Sequence, residues 1–75
     1  MTLRDTKIGD VVTVSKMELP IATMMRLKAL GMTGGTPVKI LNRKPSGSVI
    51  LSVRGTRLAL GSGICERIAV GGTNA

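Results

Sequence analysis

Five short runs of β-type residues, each stopped within a few positions by glycine or proline, confine this chain to a small, mainly β fold. The first spans about Val11 to Met17, after a turn at Gly9-Asp10. Val12 and Val14 fall on one of its faces, Thr13 and Ser15 on the other. "TPVKILN" reads as the second run, with Val38 and Ile40 inward and Pro37 at a strand start or edge, where a missing amide donor costs least. "VILSV" is the third, with Val49, Leu51 and Val53 on one face, and "RLAL" the fourth, with Leu58 and Leu60 inward. "IAV" closes the series, and residues 71–75 read as a frayed tail. Turns fall at "TGG", at "KPSG" and at Gly55, "GSGICER" holds one short helical turn, and Leu3 and Ile8 are further core candidates. Strands this short and this regularly punctuated suit a partly open barrel.

One segment breaks the period of two. In "ELPIATMMRLKALGM", Pro20 suits a first helical turn, and good helix formers run from Ala22 to Leu30. Met24, Leu27 and Leu30 recur every third residue, Ile21 precedes them on the same stripe, and Arg26 and Lys28 fall away from it. Gly31 stands where a left-handed C-terminal cap favours glycine. About three turns of helix are not stable alone, so this one is expected to plug the end of the barrel.

The chain's 75 residues allow one domain, residues 1–75, with one small core. A single cysteine forms no internal disulfide, and a lone thiol suits a reducing compartment. With no histidine and no cysteine pair, a structural zinc site has no ligands. The opening "MTLRDTKIGD" carries no signal-peptide apolar run, and no run is long enough to span a bilayer; a cytoplasmic location is expected. Eleven Lys and Arg against four Asp and Glu give a net charge of +7, which points to an anionic partner or to a solvated basic surface. The chain has no Phe, Tyr or Trp, so it cannot build the stacking platforms of single-strand binders or the aromatic grooves of proline-rich peptide binders.

Catalysis finds no support. There is no histidine, no paired carboxylates and no base for a serine or for Cys65, which reads as a small buried hydrophobe. "GMTGGT" and "GSGICE" lack the lysine of a phosphate-binding loop. Ferrous iron prefers histidine and carboxylates, and Asp5, Asp10, Glu18 and Glu66 are scattered along the chain; no cofactor or resident metal is expected.

The order of these elements resembles a known family. "GD" precedes a valine-rich strand, "RLKALGM" is followed by Gly35 and "VKIL", and "KPSG", "VRG", "LAL" and "ICERIAV" come next. This is similar to the ferrous iron transport protein A family, FeoA, over about residues 3–70. The resemblance implies a small SH3-like β-barrel of about five strands, with one short helix inserted after the first. It also implies a bacterial accessory protein acting with a FeoB-type membrane transporter, whose cytoplasmic part binds GTP. A similar barrel ends some iron-dependent repressors, so the fold alone does not fix the role. Two positions depart from the family pattern: Ser48 replaces a frequent acidic residue, and Cys65 lies in an unusually glycine-rich segment.

Two groups of residues are candidates for partner contact. Met17, Met25 and Met32 flank the helix stripe and would form an adaptable patch with Arg26 and Lys28. Arg43, Lys44, Arg54 and Arg57, with Lys39, gather around the two hairpins, where they could meet an acidic partner face or the anionic inner leaflet. Nucleic acid is the alternative partner, favoured by charge and opposed by the missing aromatics. Self-association along the strand edge near Pro37 is a third reading.

Overall fold

The computed structural model describes residues 1–71; residues 72–75 of the expected tail lie outside them, while Gly71 closes the last strand. A 3₁₀ turn, Leu3–Asp5, precedes β1 (Val11–Met17), α1 (Ile21–Ala29), β2 (Pro37–Arg43), β3 (Val49–Val53), β4 (Thr56–Leu60), the single turn α2 (Ser62–Cys65) and β5 (Ile68–Gly71). The fold is mainly β, with the helix after the first strand, as the sequence predicts. All the strand pairs are antiparallel, in the order β4-β3-β2-β1-β5. Among the described residues the hydrogen-bonded ladder does not close between β4 and β5, so two strand edges remain.

The period-two pattern decides which face of the sheet is buried. Ile40 pairs with Leu51 and Leu51 with Leu58, while Val12 pairs with Val38 and Val14 with Val70. These side chains form the core with Leu3, Leu27, Met32 and Cys65, and Leu58 is partly buried against it. Two bulges interrupt the alternation, each an extra residue that turns those after it to the opposite face. One, between Val14 and Lys16, leaves Lys16 outside opposite Ala69 and brings Met17 inside opposite Ile68. The other, between Ile40 and Asn42, brings Arg43 inside opposite Val49.

The helix departs most from the expected packing. Leu27 is its one fully buried residue, with Thr23 and Met24 half-buried beside it. Ile21 and Leu30, expected inward, are 72% and 40% exposed, and Ile8, also expected in the core, is 63% exposed. The phase of the helix explains Ile21, which lies about 120° around the axis from Leu27. Leu30 is already the cap residue. The chain then reverses at Gly31, whose φ of 106° few other residues adopt. Gly31 N–H donates to the Lys28 carbonyl and Met32 N–H to the Leu27 carbonyl, each at 3.0 Å. This is a Schellman cap, and its usual apolar contact is made by Met32 returning to the core beside Leu27. Met32, read from the sequence as part of a partner patch, is therefore fully buried.

Candidate docking surface

The outward side of α1 is apolar. Ile21 and Met25 stand one turn apart, 72% and 65% exposed, with exposed Ala22 and Ala29 beside them. Arg26 and Lys28 project on either flank, both exposed, and among the described residues neither forms an ion pair. Met17, Met24 and Lys28 line a shallow groove between α1 and β1, together with Val14 and Gly34. The result is an adaptable apolar ridge with a cationic rim, on a helix held down mainly by Leu27. Met25, Arg26 and Lys28 thus share the exposed side of α1, Met17 packs against the core in the groove beside Lys28, and Met32 is buried. The sequence reading placed Ile21 on the inward stripe; only its phase on the helix, about 120° from Leu27, turns it outward.

The remaining predicted cations go elsewhere. Arg43 is only partly exposed, and its fork donates to the Thr6 carbonyl at 2.5 Å and the Arg4 carbonyl at 2.6 Å. Those two bonds clamp the N-terminal segment, while the arginine's Nε is buried with no hydrogen-bond partner among the described residues and the rest of the half-buried side chain lines the polar groove beside Lys44. Lys44 lines an open polar groove with Arg4, Asp5, Pro45 and Glu66, across which Arg4 and Glu66 pair at 3.0 Å. Asp5 accepts from the Thr2 N–H at 2.9 Å, which holds its carboxyl below the usual range. Arg54 reaches the C-terminal end of α1, where its Nε donates to the Gly31 carbonyl at 3.4 Å. A cation there also complements the negative end of the helix. Arg57 lies on the outer face in line with Lys39, across Ser52.

Among the described residues, no three His, Cys, Asp or Glu side chains come together. Cys65 is buried and its thiol donates to the Leu60 carbonyl at 3.4 Å; burial pushes its pKa up, away from the reactive thiolate. No helix among the described residues is long and apolar enough to cross a membrane.

The same architecture recurs in known proteins. A solution structure of FeoA from Chlorobium tepidum superposes with a TM-score of 0.86 at 30% identity, covering 93% of this chain and 68% of that one. A zinc-complexed FeoA from Stenotrophomonas maltophilia, described as a prokaryotic SH3 domain protein, gives 0.78 at 29% identity over 95% of this chain and 89% of that one. The SH3-like fold implied by the sequence is therefore present. A manganese-dependent transcriptional repressor shares the fold alone, at 21% identity. In sequence, an Fe(2+) transport protein A from Methanocaldococcus jannaschii is 34% identical over 64 residues, 85% of this chain and 77% of its own. Because the FeoA domain model also matches residues 1–71, nearly the whole chain, this protein belongs to the FeoA family.

Proposed function

We propose that this protein is a non-enzymatic accessory factor of ferrous iron uptake, which docks through α1 on the cytoplasmic side of a FeoB-type membrane GTPase. The observation that carries the reading is the exposed Ile21–Met25 ridge between two cations that form no ion pair among the described residues. Burying two such side chains stabilises a complex by about 1.5–3 kcal/mol each, and a cationic rim speeds encounter with an acidic surface. Family membership supplies the iron-uptake context. The Stenotrophomonas relative is itself offered as a ferrous iron transport activating factor. Iron would be the transporter's cargo, and any GTP chemistry the transporter's own. The protein would be cytoplasmic and peripheral to the inner membrane through its partner, with the rim able to meet anionic headgroups.

Nucleic acid fits the surface less well. Phosphate tracking needs a continuous basic stripe. Here Arg4 is paired with Glu66, Arg43 is turned under the sheet, and Arg54 is held at a helix end.

The test is calorimetric titration of this protein into the transporter's cytoplasmic GTP-binding domain and into the full transporter in detergent, with GDP and with a GTP analogue. Met25→Glu is expected to weaken binding at least about tenfold, because it places a charge in the apolar centre of the contact. Binding unchanged in Met25→Glu and in Arg26→Glu removes α1 from the interface, and no binding to either transporter form overturns the reading.

A further inference from the structure

We propose that the outer edge of β4 is a second docking surface, one that adds an extended segment of a partner protein in which acidic residues alternate with apolar ones. The argument begins at the β3–β4 turn. Arg54 and Gly55 have φ of 49° and 79°, the two positive angles of a type I′ hairpin. In that turn Val53 and Thr56 exchange the first ladder bonds, and bonding then alternates along the strand. Leu58 and Leu60 therefore bond to β3, while Arg57 and Ala59 aim their N–H and C=O away from the sheet. Among the described residues no hydrogen bond meets those groups, and both residues are exposed.

The opposite edge of the sheet is treated differently. Thr2 bridges to Ala69, and Val70 N–H donates to the Met1 carbonyl at 2.9 Å, so the chain's own first residues cover β5. β4 carries no proline and no bulge, two of the devices that blunt an edge; its one charge, Arg57, opposes a basic strand and favours an acidic one. An uncovered, regular edge is a template for strand addition.

Side chains on either face define what would add. Lys39, Ser52 and Arg57 form one row across the outer face, so a residue added beside Arg57 extends that row. A carboxylate there meets Arg57 directly and Lys39 at longer range. The next residue of the added strand turns to the other face, beside half-buried Leu58, and an apolar side chain there lengthens the core floor. A second copy fits poorly. Antiparallel pairing of two β4 edges would set Arg57 opposite its own counterpart or opposite Ala59, with no carboxylate on the strand to meet it, between chains each carrying +7. The α1 ridge plays no part, so this inference stands apart from the proposed function.

Amide hydrogen exchange of the full chain tests it, with a peptide of about ten alternating glutamate and valine residues as probe and a lysine–valine peptide as control. The Arg57 and Ala59 amides are expected to exchange quickly alone and to slow at least about tenfold with the glutamate peptide only. Ala59→Pro removes an outward donor without touching the β3 ladder and is expected to abolish the effect. Arg57→Glu is expected to weaken it about tenfold, and Met25→Glu to leave it unchanged. Equal slowing by both peptides, no slowing at millimolar peptide, or slowing with protein concentration alone overturns the proposal; the last outcome identifies a second copy as the occupant. If Ala59→Pro does not fold, Arg57→Glu and the lysine peptide still decide.

Discussion

The bulge in β2 turns Arg43 under the sheet, where its two terminal nitrogens donate to the carbonyls of Arg4 and Thr6. Removing that fork leaves two carbonyls short of donors. Arg43→Ala is expected to lower stability by about 2 kcal/mol in urea unfolding, and Arg43→Lys to recover little, since one ammonium cannot span both acceptors. Cys65 gives a second residue-scale expectation. Its thiol is buried and its pKa is raised above the ordinary 9.0, so the native protein should alkylate slowly at neutral pH and the urea-unfolded chain quickly. The sign of the linkage follows. The unfolded chain loses the thiol proton first, so this group's contribution to stability is full below about pH 9 and is lost as pH rises through the folded value. A pH titration of unfolding with and without Cys65→Ala reads it directly.

At the scale of the element, α1 is a helix fastened at one end. Its C-terminal cap places Met32 in the core, and Arg54 from the β3–β4 turn lies against that cap. A Cβ on Gly31 would stand 2.8 Å from Arg54 Cδ, in addition to the φ of 106°. Gly31→Ala is expected to cost about 1–3 kcal/mol, mostly from the backbone, because the Arg54 side chain can swing aside. A double-mutant cycle with Arg54→Ala separates the two parts: the backbone cost persists, and only the contact cost is relieved. The strands and the helix were legible in the sequence because period two and the glycine turns are local signals. The residues α1 buries were not. Ile21 and Leu30 share the three-residue spacing of Leu27, but the helix begins at Ile21 and its cap sits at Leu30, so neither completes the inward stripe. Met32 lies beyond the helix, and only the cap geometry sends it inward. Arg43 and Met17 depended on bulges, which are set by pairing with other strands and leave no local mark.

For the whole molecule, charge and shape act at different stages of binding. A net charge of +7 on 75 residues creates a field that reaches past the contact itself and speeds encounter with an acidic partner. The part of the candidate surface legible in the sequence was this basic rim together with Met25; the share of Ile21 in the ridge became visible only with the helix phase. The two parts can be told apart kinetically. Raising salt from about 0.05 to 0.5 M shortens the screening length severalfold and should slow association with the transporter about tenfold, with a smaller effect on dissociation. Met25→Glu should act mainly on the other rate and speed dissociation, because a close-packed apolar contact is made after encounter. Arg26→Glu should follow the salt pattern and flatten the salt dependence. Stopped-flow binding across that salt range, with these two variants, checks all three statements. If salt governed dissociation while Met25→Glu left it unchanged, the contact would be centred on the charges, and the apolar face of α1 would have to be explained by something other than the transporter.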